Sequence, residues 1–347
     1  MKILFHIPFL FAILLAGCID TIDFTGEGNA APLVIYGNLK TGELPSALTI
    51  RQTQPTGGPG ANINDAAVLL TNGAGDTAAM LPDGEGVYRF EPTAEFPLTA
   101  GESYALEVRL SDGRVFTADP QMMPAAPPPA EGTARVRPGT ADVSLRADFT
   151  GTTEAQYLRV TFDEVYSFPE ITCNPFIAPK TCYFERELPM LFMPLADNGE
   201  GSITDTVTAE VFSLSDLSDL QGGFWGKHYY NLYVHSIPKE AHEYWQQINQ
   251  ISNAQGTIFD APPAVVKGNI YEKDNPENRA LGYFETSQVS VTRPFITLLT
   301  FLEAGIQVAP YCPVGVLPSD LQFGNFDRAC CNCTRLEGAS LDKPDWF

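Results

Sequence analysis

The chain has 347 residues, 21 basic against 42 acidic side chains, and a formal net charge of −21. So acidic a surface repels nucleic acid and anionic lipid, and nothing in it suggests a groove that tracks phosphates. Glycine (29) and proline (28) are frequent, β-branched and aromatic residues are plentiful, and the balance favours strands and turns in about two domains.

The chain opens with Met1-Lys2, then a short apolar run that ends in Leu15-Ala16-Gly17-Cys18. A basic start, an apolar stretch and small residues at the cut define a signal peptide over residues 1–17. The run is too short for a comfortable transmembrane helix, which needs about 20 residues. Leu-Ala-Gly-Cys also looks like a lipobox, in which the cysteine receives a diacylglycerol before cleavage. The expectation is an exported chain attached to a membrane by lipid on Cys18, with residues 18–30 as a tether.

Strand signals follow at Pro32–Gly37, Ala47–Arg51, Ala66–Leu70 and Gly86–Phe90. Tyr104, Leu106, Val108 and Leu110 alternate with polar or small residues, the period of a strand with one buried face. Ser111-Asp112-Gly113 then turns the chain into Arg114–Thr117, a hairpin. Residues 31–121 are therefore expected to form a β-sandwich of the Ig-like or carboxypeptidase-regulatory-like kind. The Pro/Ala stretch at 122–132 is stiff and extended and is expected to be a linker.

A second, larger β-rich domain is expected over 133–311. Val143, Leu145, Ala147 and Phe149 alternate on one strand, and Leu158, Val160 and Phe162 on the next. The strand Tyr230–His235 runs into a helix that starts near Pro238, a good first helical residue. Ala241, Tyr244, Trp245, Ile248 and Ile251 lie on one face of that helix, which should pack on a sheet. Gly268–Tyr271, Leu281–Phe284, Val289–Val291 and Phe295–Leu299 read as closing strands.

Besides Cys18 there are six cysteines: Cys173, Cys182, Cys312, Cys330, Cys331 and Cys333. An even number in an exported chain reads as disulfides. Cys173 and Cys182 bracket a short loop and form the natural local pair; the connectivity of the other four stays open. The Cys-rich stretch 312–347 is expected to be a tail stapled onto the second domain. A zinc site is the rival, but the Cys330-Cys331 adjacency fits ligand spacing poorly.

Catalytic signatures are missing. There is no Gly-x-Ser-x-Gly elbow and no P-loop, and His242-Glu243 lacks the second histidine of a zincin helix. His228 and His235 are seven apart on a strand and should face opposite ways. Asp163-Glu164 and Glu185/Glu187 read as a solvated strand face or loop, and Glu272–Asn278 as an exposed acidic turn. Asp20-Thr21-Ile22, Asp76-Thr77-Ala78 and Asp205-Thr206-Val207 look like O-glycosylation acceptors. The best binding candidates are the aromatics Phe224, Trp225 and Tyr229 after Gly222-Gly223. No catalytic residue, metal ligand or cofactor is assigned.

The lipobox, the helix around Tyr244-Trp245 leading to Gly268-Asn269-Ile270-Tyr271, Leu281-Gly282-Tyr283-Phe284, and the tail Cys330-Cys331-Asn332-Cys333 with Lys343-Pro344-Asp345-Trp346-Phe347 occur in that order. Together they resemble the Bacteroidetes lipoproteins of the domain of unknown function 4249 family. The terminal order Trp346-Phe347 departs from the expected Phe then Trp. The family has no established activity; the resemblance implies a place beside TonB-dependent outer-membrane receptors. The expected function is thus a non-catalytic binding or accessory lipoprotein of a TonB-dependent uptake system, in the outer membrane and facing the cell surface, with the periplasmic face as the other orientation. The alternatives are a surface enzyme, such as a carboxylate-dependent glycosidase or peptidase, and a structural or adhesive surface protein.

Overall fold

The computed structural model describes residues 32–54, 60–139, 142–149, 156–187, 193–198, 207–212, 228–253, 266–307, 312 and 328–347. In the first half, the strands are β1 (Leu33–Thr41), β2 (Ser46–Gln52), β3 (Ala61–Asn62), β4 (Ala67–Asn72), β5 (Thr77–Gly84), β6 (Val87–Phe90), β7 (Ser103–Arg109) and β8 (Val115–Met122). Then come β9 (Ala130–Val136), β10 (Val143–Phe149), β11 (Tyr157–Pro169), β12 (Thr181–Glu187), β13 (Leu195–Asp197), β14 (Val207–Phe212) and β15 (His228–Ser236). Helix α1 (Lys239–Asn253) precedes β16 (Ile270–Glu272), β17 (Asn275–Arg279), β18 (Phe284–Thr292), β19 (Phe295–Ile296) and helix α2 (Leu298–Glu303).

The strands pair in the order β12-β11-β15-β18-β1-β2-β6-β5-β4-β7-β8-β16-β17, with β13 on β11, β19 on β15 and β3 on β2. β14, β10 and β9 form a separate sheet. The halves interlock: β1 pairs with β18 in parallel, with Gly37 opposite Phe284, and β8 pairs with β16. The first sandwich core therefore includes Ile270, Ala280 and Phe284 from late in the chain, beside Ile35, Ile50, Leu70 and Val108. The second core lies between the β9–β10–β14 sheet and one face of β11 and β15, where Val143 and Leu145 meet Leu158, Val160, Leu232 and Val234. The extended stretch between the halves is shorter than 122–132, because β8 runs through Met122 and β9 begins at Ala130.

The fold is mainly β, with sandwich cores and one amphipathic helix packed by the apolar face seen in the sequence. Phe295–Leu299 is a correction: only Phe295-Ile296 pair as a strand, and Thr297 caps helix α2 through a reciprocal capping box with Thr300. Among the described residues no helix is long and apolar enough to cross a membrane.

The cysteine pairing also differs from the expected local loop. Cys173 bonds Cys331, Cys182 bonds Cys333, and Cys312 bonds Cys330. Cys182 points inward from β12 and is fully buried, so its partner must come from across the core rather than from its own loop. Two bridges thus hold the tail on the β11–β12 edge, and backbone bonds between Tyr183 and Ser340 extend the contact.

Candidate functional site

Alternate residues of β11, β15 and β18 face away from the two cores. On that outer face lie Arg159, Thr161 and Asp163 of β11, Asn231, Tyr233 and His235 of β15, and Glu285 and Ser287 of β18. Residues of this kind on one strand face would normally meet water. Here Arg159, His235, Glu285 and Ser287 are almost wholly buried. Burying a carboxylate is costly unless every oxygen is paired. The Glu285 carboxylate pairs with the Arg159 guanidinium, accepts from Asn38 Nδ2 at 2.6 Å, and accepts from Trp245 Nε1 at 2.9 Å. Ser287 Oγ donates to Asn38 Oδ1 at 2.9 Å, and Thr161 Oγ1 lies 2.9 Å from His235 Nε2.

This network docks helix α1. Trp245 brings its N–H to Glu285, meets the Tyr36 ring edge-on at 5.7 Å, and carries the Arg159 guanidinium 5.2 Å from its ring centre. Asn249 secures the far end with two 2.7 Å bonds to the Met193 backbone. Burial holds the His235 imidazole well below its usual range, and the Arg159 and Lys40 charges add to that. Burial likewise pushes the Lys40 amine down to about 8. The cluster is structural glue between β1, β11, β15, β18 and α1.

Asp163-Glu164 also departs from the expectation, because neither carboxylate lies on a solvated face. Glu164 is fully buried on the core side, 2.7 Å from His228 Nε2 and ion-paired with Arg186 at 2.5 Å. Asp163 accepts from Asn231 Nδ2 at 2.7 Å on the outer side, and burial raises its carboxyl to about 6. Glu185 and Glu187 are exposed, as expected. His228 and His235 do face opposite ways, one in each polar cluster.

A cleft of about 700 Å³ opens where the two halves meet. One wall is the end of β8 and the stretch after it, from Asp119 to Ala125. Opposite stand Gln156, Tyr157 and the turn from β15 into α1, Ser236 to Glu240, with Asn269 and Tyr283 at the base. The α1 docking holds this wall: Tyr157 packs on His242 at 5.4 Å and Tyr283 on Tyr244 at 4.7 Å. The Gly268-Asn269 and Gly282-Tyr283 pairs form the base. Gly282 sits at φ +100°, and a Cβ on Gly268 would lie 1.7 Å from the Gly282 carbonyl oxygen, so both positions require glycine. Asn269 exchanges two bonds with the Phe284 backbone, at 2.7 and 2.8 Å, in place of a strand partner.

Of the residues singled out in the sequence, Cys18, Phe224 and Trp225 lie outside the described residues. Tyr229 is covered by the chain's own aromatics, with Phe347 at 5.0 Å, Phe295 at 5.4 Å and Trp346 at 5.5 Å. Cys173, Cys182, Cys312, Cys330, Cys331 and Cys333 are consumed in disulfides. Among the described residues no cluster of three His, Cys, Asp or Glu side chains is placed to hold a metal ion. The cleft residues Gln121, Gln156, Tyr157 and Tyr283 carry no sequence signal as a set, because they come from three segments that only the interlocked sheet brings together.

An interlocked double β-sandwich with a seam cleft and a disulfide-held tail defines the class. The profile of the domain of unknown function DUF4249 matches residues 19–293, and the chain belongs to that family. A search of the curated proteins finds no match. Among solved structures, a two-domain fibronectin type III segment of chicken tenascin aligns at 13% identity and a TM-score of 0.18, covering 60% of this chain and 91% of that one. A candidate carbohydrate-binding protein from Bacteroides uniformis aligns at 11% identity and 0.19, covering 61% and 92%. Trypsin-activated alpha-2-macroglobulin from Escherichia coli aligns at 12% identity and 0.19, covering 60% and 15%.

Proposed function

We propose that this chain is a lipoprotein anchored through Cys18 at the outer-membrane surface, where it captures a ligand for a TonB-dependent receptor. The observation that carries the binding part is the seam cleft. Its walls are held from β18 on both sides, Glu285 fixing α1 through Trp245 and Thr286 and Gln288 bonding the Met122 and Pro124 carbonyls, so it is formed before any ligand arrives. The anchor rests on the lipobox at Leu15–Cys18. The transporter role rests on the family resemblance alone, which is a role-level argument.

The test is co-purification. A tag placed in the exposed Ser111–Gly113 turn leaves both cores and the cleft untouched. Gentle solubilisation of outer membranes should bring down a TonB-dependent receptor in stoichiometric amount, and the Cys18→Ala chain should leave the membrane fraction. A lone chain, still membrane-bound without Cys18, would contradict the proposal.

One observation favours an enzyme reading: Asp119 and Glu240 both border the cleft. Paired carboxylates across a sugar site can hydrolyse a glycosidic bond. Turnover of an oligosaccharide that disappears in both Asp119→Asn and Glu240→Gln would replace capture with catalysis.

A further inference from the structure

The cleft contains one polar group whose bonding is incomplete. Gln156 is only 9% exposed. Its Nε2 donates to the Ala126 carbonyl at 3.3 Å, but its Oε1 is buried with no hydrogen-bond partner. An acceptor left unpaired in a buried position is destabilising, so such a group calls for a reason. A ligand that turns this amide into the cleft and donates a hydrogen bond to its oxygen would supply one.

The surroundings restrict that ligand. Asp119 and Glu240 outnumber Lys239 among the lining charges, and Lys239 already lies 3.7 Å from Glu243. An anion would meet net repulsion, on a chain that is itself at −21. An extended peptide is disfavoured by the backbone of the β8 wall. β16 stops pairing with β8 at Ala118, and beyond it Pro120 and Pro124 have no N–H to donate. The carbonyls that a peptide strand would need are taken by side chains: Met122 by Thr286 at 2.8 Å, Pro124 by Gln288 at 2.8 Å, and Ala126 by Gln156. Strand addition needs a free main-chain ladder, and this wall offers none. Recognition must therefore run through side chains: amide groups for polar atoms, and the half-buried Tyr157 with Met122 for apolar surface.

We propose that the seam cleft binds a neutral saccharide that draws the Gln156 amide out toward it, so that a sugar hydroxyl donates to Oε1 while the ring packs on Tyr157. Hydroxyls both donate and accept, which matches an unpaired acceptor in a cleft also lined by Gln121, and the carbon face of a sugar ring suits an aromatic side chain. This deepens the capture reading and rests on the cleft being its site.

The experiment applies fluorescently labelled mature protein to an array of neutral and acidic oligosaccharides and to a library of extended peptides. Binding to neutral glycans is expected, with at least a tenfold loss in Gln156→Leu. Gln156 is buried, so Met122→Trp provides a second arm: Met122 is 59% exposed, and the larger ring fills the cleft without entering a core. Met122→Trp should abolish glycan binding and keep the wild-type melting temperature. Binding confined to acidic glycans or peptides, no glycan binding at all, or full binding by Met122→Trp would overturn the proposal. Receptor co-purification by Met122→Trp separates the two readings: a receptor retained without glycan binding upholds the transporter role whatever the ligand.

Discussion

At the residue scale, the decisive feature is charge placed on strand faces that water does not reach. Arg159 and Glu285 lie far apart in sequence and neutralise one another between sheet and helix. Removing one partner of such a pair strands the other in a buried site, at a cost of about 3–5 kcal/mol. Glu285→Ala should therefore lower the urea-unfolding free energy by that order and loosen α1; a loss below about 1 kcal/mol would show that Arg159 finds water instead. Asp163 gives a pH signature. Burial holds its carboxyl at about 6 in the folded chain against an ordinary 3.8, with Glu185 and Glu187 adding to the rise and Tyr233 and Asn231 opposing it. Folding therefore favours the protonated form, so this group's stabilisation is full below pH 3.8 and is lost as pH climbs through 6. Asp163→Asn should be more stable than wild type at pH 7.5 and equal to it below pH 4, as read from melting temperatures across that range. None of this was visible in the sequence. Period-two alternation shows which residues share a face, but a polar face under a helix has the same pattern as one in water.

At the element scale, local signals were the most legible. The alternation over Tyr104–Leu110, the hairpin at Ser111–Gly113 and the apolar face of α1 are all where the pattern puts them, because each depends on neighbours within a few residues. Leu298 and Leu299 look like a strand continuing from Phe295-Ile296, and only the Thr297–Thr300 cap turns them into a helix. The disulfides fail the local expectation for a different reason: β12 aims Cys182 into the core, and loop length says nothing about direction. The tail now depends on bridges from Cys331 and Cys333 that close loops of more than 150 residues, where cross-links constrain the unfolded chain strongly. Full reduction should make residues 328–347 the first segment cut by protease, as mapped by mass spectrometry. A tail that stays protected after reduction would mean that packing of Tyr229 and Tyr183 against Trp346 and Phe347 holds it without the bridges.

At the scale of the whole molecule, the two halves share strands. Residues 31–121 have the strand count of a sandwich, yet Ile270 and Phe284, fully buried in its core, come from the other half. Each is worth about 1.5–3 kcal/mol of burial, a large part of a domain's net 5–15 kcal/mol. The isolated 31–121 fragment should therefore lack a cooperative melt, whereas a sharp transition would show that the seam is a contact between finished domains. The seam was illegible in the sequence because parallel pairing of β1 with β18 joins segments about 250 residues apart, and no periodicity reports such a distance. The cleft inherits that illegibility, although ligand capture is placed there. Hydrogen–deuterium exchange on the full mature chain, with and without the tightest-binding neutral glycan of the array, tests that placement most directly. Protection should rise at residues 119–125, 156–157 and 236–240 together. Protection confined to the loop between Cys173 and Cys182 or to the Tyr229–Phe347 aromatic cluster, with the cleft unchanged, would contradict it.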